Sequence, residues 1–109
     1  MVWIFSTNNY DTIEKLIYDE GLRIEALDFH IELDLMLIIL NSKAVLNQKI
    51  SNFKQLKNSS INELQQYRFI SNGNGVHWAK LDEDLSLKGF LRDELRMLIG
   101  MNKSDSYAA

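Results

Sequence analysis

The sequence predicts an α+β protein, a small antiparallel sheet with short helices packed on it and an amphipathic C-terminal helix. Three observations carry this. Leu35-Met36-Leu37-Ile38-Ile39-Leu40 is an unbroken apolar run of strand length. Asp11…Glu14 and Ser60…Glu63 both have the spacing of a capping box, which starts a helix. Leu87, Phe90, Leu91, Leu95 and Leu98 recur at helical spacing between Ser86 and Ile99, with Lys88, Arg92, Asp93 and Arg96 opposite.

The elements follow in order. Val2 to Phe5 is a short apolar stretch that reads as a strand. The helix begun at Asp11 places Ile13, Leu16 and Ile17 on one face and stops at Gly21. Leu22, Ile24 and Ala26 alternate with Arg23, Glu25 and Leu27, the period of a half-buried strand. The run from Leu35 to Leu40 is apolar on both faces, so a central strand covered on each side is expected. Asn41-Ser42-Lys43 then turns into Ala44 to Ile50, where Ala44, Leu46 and Ile50 share one parity. The second capping box begins a helix reaching about Gln66. Tyr67 to Ile70 and Val76 to Trp78 flank Ser71-Asn72-Gly73-Asn74-Gly75, whose Asn-Gly pairs supply the positive φ angles of a tight turn. The pattern divides the chain into an N-terminal extension (1–20), a single α+β domain (21–100) and a flexible tail (101–109). It shows no internal repeat.

At 109 residues the chain is one domain, and its 46% hydrophobic share suffices for a core without a metal or disulfide staple. The absence of cysteine excludes disulfides, thiolate metal sites and cysteine nucleophiles. The longest apolar run is too short to span a bilayer, and Val2-Trp3-Ile4-Phe5 lacks the basic leader of a signal peptide, so a cytoplasmic protein is expected. A net charge of −3, with basic residues that read as scattered beside acids, weighs against nucleic-acid binding by the chain alone.

The densest polar cluster is Asp82-Glu83-Asp84, five to seven residues after His77. With His77 it could form a hard-cation site. The plainer reading is that these acids sit before a helix, where Asp84 or Ser86 caps free backbone N–H groups. A triad of Ser86, His77 and Asp82 can be written down, but no nucleophile-elbow spacing supports it. Asn72 to Gly75 lacks the Lys and Ser/Thr of a phosphate loop. Trp78, between Val76 and Leu81, is expected to be buried. No cofactor and no catalytic residue is predicted, and the chain reads as a non-enzyme. Because so short a chain has few helices to cover both faces of its central strand, another chain is a candidate cover, either a second copy or a different protein.

Several segments carry a family resemblance: Leu33 to Asn41, Ile50 to Leu56, Gly75 to Trp78, and above all Leu81-Asp82-Glu83-Asp84-Leu85-Ser86-Leu87-Lys88-Gly89-Phe90-Leu91. They resemble the bacterial family called domain of unknown function 2442, across about three quarters of the chain, from Gly21 to Gly100. Ala79-Lys80 departs from it, since many relatives carry proline after the tryptophan. The resemblance implies a partner of the domain of unknown function 4160 type and an antitoxin-like role, neutralising a cognate toxin by direct binding, with repression of the shared operon as a further implication. His77, Trp78, Asp82, Glu83 and Asp84 are then the candidate partner-contact or family-signature residues. The alternative is a small metal-binding protein or enzyme using His77 and Asp82-Glu83-Asp84. The ending Tyr107-Ala108-Ala109 also resembles the apolar C-terminal tags read by bacterial proteases, beside the plainer reading of a frayed end.

Overall fold

The fold follows from a computed structural model, described here for residues 11–100. Both capping boxes form. Helix α1 (Thr12–Tyr18) is capped by Asp11, whose side chain accepts from Glu14 N while the Glu14 carboxylate accepts from Asp11 N. Helix α2 (Ile61–Leu64) is capped in the same reciprocal way by Ser60 and Glu63, and is shorter than the expected extent to Gln66. Each box satisfies two of the N–H groups that a helix start leaves free.

Strands β1 (Ile24–His30), β2 (Leu35–Leu40) and β3 (Val45–Lys49) form one antiparallel sheet in that order. Strands β4 (Arg68–Ile70), β5 (Gly75–Trp78) and β6 (Glu83–Ser86) form a second. The α+β class is as the sequence predicts, but the single sheet is two. In β1 a bulge between Ile24 and Ala26 shifts the register. Ile24 and Phe29 are buried while Ala26 is not, so the simple alternation of Leu22, Ile24 and Ala26 fails at the bulge. In β2 only one face is fully covered. Met36, Ile38 and Leu40 are buried, whereas Leu35, Leu37 and Ile39 are half-exposed on the other face. In β3, Gln48 sits between Leu46 and Ile50 on the core face and is only 5% exposed.

The two sheets are variations on one unit, where the sequence shows no repeat. Each unit follows a capping-box helix and runs strand, 3-10 turn, strand, hairpin, strand, helical turn. The 3-10 turns occupy Ile31–Leu33 and Ser71–Gly73. Residue 34 after the first and residue 74 after the second play the same part: Ile50 N donates to Asp34 O at 3.2 Å, and Leu87 N donates to Asn74 O at 2.9 Å. Ile50 and Leu87 are buried, and each is followed three residues later by a phenylalanine. Those two, Phe53 and Phe90, meet edge to face with centroids 6.2 Å apart. Equivalent residues in mutual contact are what an approximate two-fold produces.

A single core lies between the units. Phe29 of β1 contacts Tyr67 at 6.1 Å, and Tyr67 contacts Trp78 of β5 at 6.0 Å, so aromatic rings bridge the two sheets. Trp78 is 0% exposed, as its setting predicts, and its indole N–H donates to Leu64 O at 2.8 Å. Gly73 completes the join from the backbone side: its φ is +95°, and a Cβ there would lie 2.6 Å from Ile24 O. Only glycine fits.

Helix α3 (Leu87–Leu98) closes the domain, with Leu87 and Phe90 buried. Residues 11–20 are not outside this body. Ile17 belongs to the core, Arg23 Nη1 donates to Ile17 O at 2.5 Å, and Lys88 Nζ at the base of α3 lies 3.0 Å from Glu14. The expected boundary after residue 20 therefore does not mark the edge of the core. The strand read at Val2 to Phe5, the tail 101–109 and the ending at Ala109 lie outside the described residues.

Trp78→Ala removes the bridge and leaves Leu64 O without its donor. Chemical denaturation should show a loss of about 3–5 kcal/mol. A midpoint unchanged from the parent would mean that the ring is not part of the core.

Candidate functional site

The five signature residues are dispersed by the β5–β6 hairpin. His77 and Asp84 face each other across the strands, and Asp84 Oδ1 makes a short hydrogen bond to His77 Nδ1. Glu83 pairs in register with Trp78 and so lies on the opposite face, where its carboxylate accepts from Asp84 N at 3.0 Å. Asp82 is in the turn, with φ +55°. Trp78 is inside the core and presents nothing to a partner.

This geometry bears out Ser86 as the cap and corrects the reading that Asp84 could serve as one. Asp82 is a turn residue, and Glu83 and Asp84 belong to an edge strand that precedes the helix. The cap is Ser86, whose hydroxyl accepts from Gly89 N at 3.0 Å. The period of the acids hid the strand, because Glu83 and Asp84 have low strand propensity and are held in place by pairing with β5. The paper triad dissolves for the same reason. The carboxylate beside His77 is Asp84 and not Asp82, and the Ser86 hydroxyl is occupied at the helix start. Nor do His77 and the three acids converge on a point. Among the described residues no group of three or more His, Asp or Glu is arranged to hold a metal ion. His30 has its own carboxylate partners, Asp28 at 2.9 Å and Glu32 at 3.9 Å, on a different sheet. His77 and Asp84, with side chains 25% and 69% exposed, form a surface pair of the kind that contributes 0–1 kcal/mol at most.

Two surfaces stand out that the signature did not indicate. The first is the distal half of α3. Leu98 lies eleven residues after Leu87, about 20° round the helix from it. It therefore shares the phase of the buried face, yet it is 73% exposed. Leu95, Met97 and Ile99 are 50%, 52% and 69% exposed. The apolar face of α3 continues beyond the body that covers its first half. The helical spacing was legible in the sequence; that the core ends near Leu91 was not.

The second surface surrounds Asp34. This residue has φ +54° after the first 3-10 turn, and its carboxylate accepts from Ser51 N at 2.9 Å and from the Ser51 hydroxyl at 2.5 Å. The hydroxyl is the largest cause of a carboxyl pKa below the ordinary 3.8; burial opposes it, and the Ser51 N–H, Lys49 and Lys57 lower it further. A cleft of about 280 Å³ opens beside this pair, lined by Ile31, Ile50, Ser51, Lys57, Asn58 and Ser59 among others.

The comparisons with known proteins agree with the fold. Residues 24–95 match the family described as Protein of unknown function (DUF2442), and the chain belongs to that family. No curated protein matches it. A protein of unknown function from Rhodospirillum rubrum ATCC 11170 has a similar structure, with a TM-score of 0.53 and 19% identity over 82% of this chain and 99% of its own. The uncharacterised protein CV0863 from Chromobacterium violaceum, solved by NMR, has a TM-score of 0.60 and 17% identity over 84% of this chain and 85% of its own. At these identities the likeness concerns the fold. No described helix is long and apolar enough to cross a membrane.

Asp34 yields a pH test. A carboxylate with a depressed folded-state pKa stabilises the protein above its unfolded pKa of about 4, and that contribution is lost as pH falls through the folded value. Ser51→Ala removes the largest cause. The variant should be about 1 kcal/mol less stable than the parent at pH 7, with the gap narrowing as pH falls below about 4. A gap independent of pH, measured by urea unfolding, would show that the hydroxyl acts by packing alone.

Proposed function

We propose that this chain is an antitoxin-like protein-binding module that acts in the cytoplasm and neutralises a cognate toxin by direct contact through the distal half of α3. The observation that carries this is the exposure of Leu95 and Leu98, which continue the buried side of α3, with Met97 to one flank and Ile99 at the helix C-cap. Leaving four large apolar side chains in water gains nothing for the isolated domain, and contiguous apolar patches mark interaction sites. An amphipathic helix read at i, i+4 and i+7 by an apolar groove is a common mode of recognition, and Leu91, Leu95 and Leu98 have that spacing. Family membership supports the choice of partner, a small protein of the domain of unknown function 4160 type. No observation favours the metal or enzyme reading over this one.

The test is co-expression with such a companion protein, scored by bacterial growth and by co-purification. The parent chain restores growth and co-purifies. Leu95→Glu combined with Leu98→Glu abolishes both. Its melting temperature stays near the parent's, since exposed substitutions usually change stability by less than about 0.5 kcal/mol. A parent chain that neither binds nor restores growth overturns the reading, as does a double variant that neutralises as well as the parent.

A further inference from the structure

The net charge of −3 averages over a strongly uneven chain. Residues 35–62 contain Lys43, Lys49, Lys54 and Lys57 and not one acid, which leaves the other eight basic residues beside all 15 acids elsewhere. The basic residues are thus not uniformly scattered. All four lysines are exposed. Lys43 pairs with Glu25 at 2.8 Å, whereas Lys49, Lys54 and Lys57 close no salt bridge among the described residues. Three links bring them to one place. Lys49 and Lys57 both act electrostatically on Asp34. Lys57 lines the cleft beside Asp34 and Ser51. Lys54 and Lys57 are three apart in a helical turn closed by the bond from Lys57 N to Phe53 O at 2.9 Å, a spacing that puts both on one side. The one carboxylate among the described residues lining the cleft, Asp34, is already engaged by Ser51.

We infer that this face binds the phosphate backbone of nucleic acid without regard to sequence, at the cleft between the 3-10 turn at Ile31–Leu33 and the turn before α2. The surrounding side chains decide the class of partner. From Ser51 to Ser60 the exposed residues are all polar, among them Ser51, Asn52 and Asn58, while Phe53 and Leu56 turn inward. Lysine interleaved with Ser, Asn and Gln is the donor set used on phosphates. A protein interface is depleted in lysine and centres on packed apolar or aromatic anchors, whereas the cleft offers a single exposed apolar side chain, Ile31, beside Lys57, Ser51, Asn58 and Ser59. The lysines are different residues from the leucines of α3, and the inference does not depend on the toxin reading.

Fluorescence anisotropy of the full chain with labelled 20-base-pair DNA and RNA duplexes of arbitrary sequence tests it, with poly-glutamate as competitor. Three neutralised phosphates give a log–log salt slope of about −2.7, so affinity should fall about 40-fold between 50 and 200 mM salt. Lys49→Gln, Lys54→Gln and Lys57→Gln should each reduce the slope by about one, and the triple charge reversal to Glu should abolish binding. Lys80→Gln, outside the face, should leave the slope unchanged. Binding to either duplex with this pattern supports the inference. No binding at 20 mM salt, a slope insensitive to the three Lys→Gln changes, or displacement by poly-glutamate at equal charge concentration overturns it.

Discussion

The structure depends on the aromatic contact that joins its two halves. A sheet of three short strands is too small to bury a face against itself, and each unit here has no more than that. Phe29, Tyr67 and Trp78 connect the sheets, and Phe53 on Phe90 closes the join at the ends of the units. The indole N–H has to be satisfied for Trp78 to be fully buried, and Leu64 O does so from the end of α2. That bond explains why a helix of a single turn is present at all. Four residues are not stable alone, but a capped start and a carbonyl fixed on the tryptophan hold them.

Consequences for the surface follow from this shared core. Among the described residues, with both sheets turned inward, the outer face of β2 is only partly covered and the distal half of α3 is exposed. The base of α3 is fastened on one side by Leu87 and Phe90 and on the other by Lys88, whose ammonium is held charged by its bond to Glu14 and by Asp11 nearby. Asp11 and Glu14 are in turn kept below ordinary carboxylate pKa values chiefly by the backbone N–H groups of their own capping box. One end of the helix is anchored and the other is presented. Among the described residues each histidine meets its carboxylates in a different unit of the fold.

Much of the fold was legible because its signals are local. Both capping boxes, the turn at Asn41 to Lys43, the turn at Asn72-Gly73 and the period of α3 each lie within a few residues and appear where expected, whereas Asn74-Gly75 does not take the positive φ angles its composition suggests. What the sequence concealed depends on contacts between distant residues. The repeat is invisible because its two copies share little beyond Phe29 with Phe69 and Phe53 with Phe90, and differ in strand and hairpin length. The bulge in β1 moves Ala26 off the core face without any glycine to announce it. Asp82 to Asp84 read as the approach to a helix, because acids before a helix are usually capping or dipole partners, and only the pairing with β5 makes two of them a strand. The exposure of Leu98 could not be read at all, since its position on the helix is that of a core residue.

Amide hydrogen exchange read residue by residue tests the shared core and its projecting helix together. If the two units stand or fall as one, the amides of Ile38 in β2 and Val76 in β5 exchange only through global unfolding and report the same free energy. Those of Leu95 to Ile99 should exchange much faster, with Leu91 between. Sheets that open at clearly different free energies would contradict a common core, and protection at Ile99 equal to that at Val76 would contradict a helix end left uncovered.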